Sequence, residues 1–349
     1  MGNYRNREAA AFNMINSVIT ATGSYLPTKI IPNSHFLDSK FYDEDGNRLE
    51  RPNPQIIDKL FEITGIRERR YVSDDLTTSD IAFFAAEKAL ANVDRESLDY
   101  IIVAQNLGEL KADNARTDIV PTIASRVKNK LRIKNPYTVA FDLPFGCPGW
   151  LQGTILADYY IKSGDAERIL VIGAEILSRV CDPHDIDRMI FADGAGAALI
   201  EATREPAGII SHLTRSDTLE KTHLLRLDKS YNPARNGNDL YIKMEGHDIY
   251  KYALKTVPLV VKKNLEKANL HLSDIRKILL HQANEKMDAA ILQRLFKMCG
   301  VSDIPPDIMA KLPGYYASTA GLSEIKIVRD RLKMYAFNQW FDVYFHADN

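Results

Sequence analysis

Two residues of this chain stand where chemistry can be done. Cys147 follows the apolar run YTVAFDL and a short turn, and it opens the amphipathic run PGWLQGTILADYYIKSG. The first turn of a helix leaves backbone N–H groups without partners and carries a partial positive charge. A thiol placed there ionises more readily, and an oxyanion formed beside it meets donors. Pro148 is expected at the first helical position, where it has no N–H to leave unpaired, and Gly146 and Gly149 permit the sharp turn. The chemistry this favours is thiolate attack on a carbonyl, giving a covalent acyl-cysteine. The second residue is His281, at the end of the apolar run KILLHQA.

The elements that must position these residues are legible as alternating patterns. Short β-rich apolar runs alternate with longer helical ones, which predicts an α/β architecture. Strands are expected at SVITATGSY, YIIVAQN, YTVAFDL, RILVIGAE, GAALIEAT, GIISHLTRS and KILLHQA. Helices are expected at TSDIAFFAAEKALANV, PTIASRVKNKL, the stretch after Cys147, and GHDIYKYALKTVPLVVKKNLEKANL. PTIASRVKNKL has clear apolar spacing but weak capping signals. Residues 203–240, charged and carrying the turn-forming NPARNGND, read as a connection with a surface excursion.

An internal echo joins the two reactive positions. EKALANVDRESLDYIIVAQN, residues 87–106, resembles LEKANLHLSDIRKILLHQAN, residues 265–284: a helix end, an acidic turn and an apolar strand in each. The chain reads as duplicated. Overlaying the copies puts His281 where the first has Ala104, at the carboxyl end of a strand, where open α/β sheets place their sites.

Composition narrows the function classes. With 349 residues, 45% of them hydrophobic, the chain can bury a large core as one domain or two packed halves. Its 45 basic and 46 acidic residues carry no polyanion-binding signature, so nucleic acid is not an expected partner. Cys147, Cys181 and Cys299 are too few and too scattered for a disulfide framework or a zinc site. That usage fits a reducing, cytoplasmic setting, and Cys181 and Cys299 read as small buried hydrophobes. No run approaches the roughly 18 apolar residues that cross a bilayer, so no membrane association is expected. Residues 1–13 read as a polar leader and Met14 as the functional start, because a strand pattern follows at once. A thiol hydrolase would pair its cysteine with a local histidine and an orienting carboxylate, and no such signature is visible.

The run AFDLPFGCPGWLQGTILADYYIKSGDAERILVIGAEILSRVCDP, then FADGAGAALI, then LLHQAN, closely resembles β-ketoacyl-acyl-carrier-protein synthase III of the thiolase superfamily. TGIRERRYV and MEGHDIYKYAL add to the match, which spans roughly residues 14 to 300. The resemblance implies a five-layered αβαβα thiolase-like fold of two related halves. These are residues 14–202, with the nucleophilic cysteine, and 203–349, with the catalytic histidine. It implies a homodimer and, as substrates, an acyl-CoA and malonyl-acyl carrier protein, with no cofactor beyond the coenzyme A thioester and no metal. Cys147 then takes the acyl group, and His281 donates a hydrogen bond to the malonyl thioester carbonyl as enolate charge develops. Gly246, Tyr250, Ala283 and Asn284 match positions lining the family's pantetheine tunnel, although His247 replaces a frequent asparagine. Arg67, in a cluster with Arg69 and Arg70, meets either the carrier protein or coenzyme A phosphates, or else pairs on a solvated face. FADGAGAALI lies within a strand pattern, so its glycines read as tight backbone packing rather than a phosphate loop.

After about residue 300 the resemblance ends. The family's Gly-Asn-Thr/Ser-Ser motif, whose asparagine completes the cysteine-histidine-asparagine triad, is not visible, nor is its glycine-rich final strand. GYYASTAGLSEIK has Ala317 near the asparagine position, and the closing RDRLKMYAFNQWFDVYFHADN carries one expected strand, WFDVYFHA. The tail after residue 310 is thus atypical: a shifted or chimeric end, a true divergence, or a tail in which Asn338 takes the role. The main alternative to condensation is an acyltransferase of the same fold that passes the acyl group to a hydroxyl or amine. A catalytically impaired variant is the other. The sequence carries no signal for acyl chain length.

Overall fold

The computed structural model describes residues 15–235, 237–275, 278–281, 285–302 and 304, with the pairs 324–325 and 334–335. In chain order the strands are β1 (Asn16–Tyr25), β2 (Lys29–Pro32), β3 (Glu68–Tyr71), β4 (Tyr100–Ala104), β5 (Glu109–Lys111) and β6 (Asn114–Asp118). They continue with β7 (Val139–Leu143), β8 (Arg168–Ile176), β9 (Asp193–Thr203), β10 (Leu225–Asp228) and β11 (Tyr241–Met244). The helices are α1 (Asn53–Thr64), α2 (Thr78–Ala89), α3 (Ile123–Lys130), α4 (Gly149–Ser163), α5 (Gly246–Ala268) and α6 (Glu285–Met298).

Five strands form the main sheet in the order β1, β9, β8, β4, β7. β7 and β8 flank β4 in parallel, while β9 runs antiparallel to both β8 and β1. The inner parallel strands β4 and β8 are covered on both faces, so they read as unbroken apolar runs. Ile101, Ile102, Val103 and Ala104 are fully buried, as are Ile169 to Ile172. Residues of α2 and α3 share one apolar cluster with one face of the sheet; Trp150, Ala157 and Ile161 of α4 pack on the other. A capping box between Thr77 and Asp80 starts α2. The weakly signalled helix has a cap after all: Thr122 Oγ1 accepts from the Ser125 N–H at 3.1 Å, at the head of α3.

The internal echo appears as repeated geometry. α2 ends at Ala89 and passes through a 3-10 turn, Arg95–Ser97, into β4; α5 ends at Ala268 and passes through Leu272–Asp274 toward Ile278. One expected strand does not form. Residues 208–216 carry no ladder: the Ile209 N–H donates to Ser17 O, Lys162 donates to Ile209 O, and Lys267 donates to His212 O. With those groups so engaged, the apolar run lies as irregular chain across the end of β1. Of KILLHQA the described residues are Ile278 to His281, with a single bridge at Ile278; Lys277, Gln282 and Ala283 lie outside the described residues. The polar leader with Met14, and Ala317, Asn338 and WFDVYFHA of the tail, lie outside the described residues.

A buried charge cluster fastens the β10–β11 hairpin to the segment after β8. Lys243 Nζ lies 2.6 Å from Asp182 Oδ2 and 3.0 Å from Asp185 Oδ2, with both lysine and Asp182 side chains 0% exposed. It also stands 3.1 Å from the centroid of the Tyr231 ring. Burial opposes ionisation of Asp182, but bonds from Lys243, the Tyr231 and His184 N–H groups and Ser230 outweigh it and hold the carboxyl below its usual range. Lys243→Met leaves two buried carboxylates uncompensated. It is expected to lower the unfolding free energy by about 3–5 kcal/mol, read as a shift of the urea midpoint. A change below about 1 kcal/mol would show that the carboxylates are neutral or hydrated in the folded chain.

Candidate active site

Cys147 lies in the turn between β7 and α4. Gly146, at φ +73°, supplies the left-handed backbone this turn requires. Pro148 falls at the N-cap rather than the first helical position, because Gly149 N–H turns back to Gly146 O at 3.1 Å. Gln152 N–H makes the first full-turn bond, to Pro148 O at 3.0 Å. The head of α4 is pressed onto the sheet: a Cβ added at Gly153 would stand 2.8 Å from Val171 Cγ1. The thiol is half-buried, at the positive end of a helix of 15 residues.

The end of β7 is fixed from behind. Asp142 accepts from the Ile123 and Ala124 N–H groups, both at 2.8 Å, at the head of α3, and from Gln105 Nε2 at 3.2 Å. Burial pushes its carboxyl up, against the bonds from Ala124, Ile123 and Gln105. Glu175, at the end of β8, accepts from Asn106 N and Nδ2 at 2.9 and 2.8 Å, and burial pushes its carboxyl up to about 7. Sequence reading singled out none of the four polar residues Asp142, Gln105, Glu175 and Asn106. Their one common signal is a polar residue at or just past the carboxyl end of a parallel strand.

His281 is 8% exposed, and burial brings its imidazole down to about 3, so it is neutral across the physiological range. Leu279, two residues earlier, packs against the cluster to which Trp150 and α4 belong, which brings the histidine's segment onto the α4 side of the sheet. Gly246 opens α5 and Tyr250, 37% exposed, follows one turn later. Ala283 and Asn284 lie outside the described residues.

The arginine cluster divides. Arg69 is fully buried, donating to Ile31 O at 3.2 Å and Asn33 Oδ1 at 2.7 Å, and sits over the Phe36 ring. It is structural. Arg67 is exposed, with its guanidinium 4.8 Å from the Phe61 ring centroid. The glycines of FADGAGAALI lie within β9, Gly196 paired on both sides and Gly194 with β8. Asp193 at its head accepts from Val72 N–H, Ser178 N–H and Ser178 Oγ at 2.9, 2.9 and 2.6 Å, an anchor rather than a phosphate loop. Cys181 is 7% exposed, and burial pushes its thiol up; Cys299 packs, partly buried, against the α5–α6 cluster. Among the described residues no group of His, Cys, Asp and Glu is placed to hold a metal, and no helix is long and apolar enough to cross a membrane.

Comparison with solved structures places this architecture. The chain aligns with 3-oxoacyl-(acyl carrier protein) synthase III, FabH, of Pseudomonas aeruginosa at TM-score 0.66 and 25% identity, covering 85% of this chain and 82% of that one. It aligns with the Aquifex aeolicus 3-oxoacyl-[acyl-carrier-protein] synthase III at TM-score 0.65 and 28% identity, covering 84% and 83%. The fold is thus that of the thiolase-like condensing enzymes. A family model described as 3-oxoacyl-[acyl-carrier-protein (ACP)] synthase III matches residues 141–218, the stretch that holds Cys147 and β8 to β9. Beta-ketoacyl-[acyl-carrier-protein] synthase III 1 of Vibrio cholerae is 35% identical over 283 residues, 80% of this chain and 81% of the relative. The corresponding enzyme of Xanthomonas campestris is 34% identical over 287 residues. The chain belongs to the β-ketoacyl-acyl-carrier-protein synthase III family.

Proposed function

We propose that the chain condenses an acyl-CoA with malonyl-acyl carrier protein in fatty acid or related biosynthesis. The observation that carries this is a half-buried thiol in the turn at the head of α4, in a fold whose second reactive residue, His281, is a buried neutral imidazole. The Cys147 thiolate attacks the acyl-CoA carbonyl; the new C–S bond replaces the bond to coenzyme A, whose thiolate leaves and takes up a proton. Malonyl-carrier protein then loses carbon dioxide. The resulting enolate carbon attacks the acyl-cysteine and returns the thiolate. During that second step His281 N–H donates to the enolate oxygen. Gly246 and Tyr250 border the pantetheine arm, and exposed Arg67 meets phosphate or carrier-protein carboxylate. No cofactor beyond the thioester is required.

Intact mass after mixing the protein with acyl-CoA and then malonyl-carrier protein tests the reading. The expected result is an adduct on Cys147 that is discharged as a β-ketoacyl product. An adduct that only a hydroxyl or amine acceptor discharges would favour acyl transfer instead, and a folded protein that forms none would refute both.

A homodimer through β7 is part of the same proposal. β7 is an edge of the main sheet, and Val139 and Tyr137 beside it are 47% and 85% exposed. An apolar unpaired edge is a template for a second strand. Val139→Lys is expected to convert the dimer to monomer in sedimentation velocity; an unchanged dimer would place the interface elsewhere.

A further inference from the structure

Glu175 stands at the end of β8 on the face of the sheet that carries α4. Side chains alternate between faces along a strand. Ile169 and Val171 of β8 share a cluster with Trp150, Ala157 and Ile161 of α4, whereas Leu170, Ile172 and Ala174 belong to the opposite cluster. β8 pairs with β9 in unbroken register from Arg168 to Ile176, so residue 175 falls with 169 and 171. Its height follows from the same contacts. Gly153 of α4 stands against Val171 and Ile102. α4 leaves the end of β7 and returns toward the start of β8, so it runs against the strands and its head lies at their carboxyl ends. Cys147 precedes Gly153 by about 9 Å at helical rise, and Glu175 follows Val171 by about 13 Å at strand rise. The thiol turn and the carboxyl group therefore share one end of one face.

The carboxyl is held at one oxygen only. Asn106 donates to Oε2 from its backbone N–H at 2.9 Å and from Nδ2 at 2.8 Å, while Oε1 is enclosed and makes no hydrogen bond among the described residues. An enclosed carboxylate oxygen without a donor is costly to charge. Burial accordingly moves Glu175 up to about 7, against the two Asn106 bonds, and the Asp193 charge adds to the rise. The titratable groups on the elements around it are few. β9 brings Asp193, which burial raises to about 6 against bonds from Ser178 and Val72 and the charge of Arg179. β4 brings only the amides of Gln105 and Asn106, and the turn before α4 brings the Cys147 thiol.

We propose that Glu175 and Cys147 titrate as a linked pair carrying one negative charge between them, with Glu175 taking the proton that the thiol gives up. The inference deepens the acyl-cysteine reading and concerns that same thiol. In one state Glu175 is ionised and the sulfur is protonated; in the other the carboxyl is neutral and the sulfur is the thiolate. When the thiolate attacks and coenzyme A leaves, the proton stored on Glu175 is the one the departing sulfur takes up. Like charges about 5–10 Å apart in a protein interior raise the second group to titrate by about 1–2 pH units.

The test follows alkylation of Cys147 by iodoacetamide on the full chain from about pH 5.5 to 9.5, a range that spans both groups. The modified peptide is read by mass, so that Cys181 and Cys299 do not contribute. In the parent the rate should rise in two steps. Glu175→Gln should give a single step, about 1–2 pH units below the parent's upper one, and Glu175→Asp, which keeps the charge, should keep both steps. Asn106→Ala removes a bond that favours the ionised carboxyl, so the lower step should move to higher pH; Asn106 is exposed, so this variant tests the pair without disturbing the core. A Glu175→Gln profile that coincides with the parent's, with circular dichroism unchanged, would overturn the proposal. So would a lower step that Asn106→Ala leaves in place, or a Glu175→Gln rate reduced equally at every pH, which marks a structural role only. Alkylation needs no thioester. Linked titration without any acyl adduct would remove the acyl-cysteine reading and leave the pair, and an acyl adduct with unlinked titration would do the reverse.

Discussion

Cys147→Ala is expected to form no covalent adduct with any acyl-CoA, and its condensation rate should fall to background. Where a covalent nucleophile has been removed from a working triad, kcat has dropped on the order of 10^6-fold. The substitution removes the Sγ that must hold the acyl group between the two half-reactions, so no residual donor or binding contact can substitute for it. Folding should be little affected. The residue is half-buried in a turn whose conformation is set by Gly146 at φ +73° and by the Gly149 and Gln152 backbone bonds, none of which involve the thiol. Far-UV circular dichroism and the thermal midpoint of the variant should therefore match the parent, and an adduct retained at parental rates would assign the chemistry to another residue.

How far this site could be read from the chain follows from the range of the forces that build it. The setting of Cys147 is local: an apolar strand, a glycine turn and a helix start lie within a few residues, and each has a sequence signature. β4 and β8 are equally plain, since a strand buried on both faces must be apolar throughout. GIISHLTRS has the same composition and forms no strand, because a ladder needs a neighbour with free N–H and C=O groups. The partners that its backbone does find are Ser17, Lys162 and Lys267. No pattern within nine residues can report them.

The polar supports are hidden for the same reason. Arg69 and Lys243 look like solvated charges in sequence, yet both are fully buried. The groups that permit this, Asn33 and Ile31 for one and Asp182, Asp185 and Tyr231 for the other, lie 36 and 38 and then 61, 58 and 12 positions away. The neighbouring arginines look alike in sequence, yet Arg69 is buried and Arg67 exposed, because burial is a property of the assembled layers. Asp142 and Glu175 also escaped notice. Only the sheet order shows that the ends of β7, β4 and β8 meet and that polar residues there pair with one another.

His281→Ala separates the two half-reactions. Acylation of Cys147 is expected to persist, whereas malonyl decarboxylation and condensation should fall about 10^2- to 10^3-fold, the usual cost of one donor to a developing oxyanion. The family resemblance assigns the companion donor to the tail, so the single-residue loss is measured against whatever that tail supplies. The pH dependence identifies the group. Burial disfavours the imidazolium, so the imidazole stays neutral down to about pH 3. Decarboxylation should therefore not fall as pH is lowered from 8 to 5, where an unshifted histidine would protonate near 6.5. Stability must move the other way. Below about pH 6.5 the unfolded chain takes up a proton that the folded histidine refuses, so this residue removes up to about 1.4 kcal/mol of stability per pH unit across that window. His281→Gln should abolish that component of the slope while retaining a neutral donor and part of the rate. A decarboxylation rate that instead tracks a group titrating near 6.5, and that His281→Gln leaves unchanged, would take the donor role away from His281.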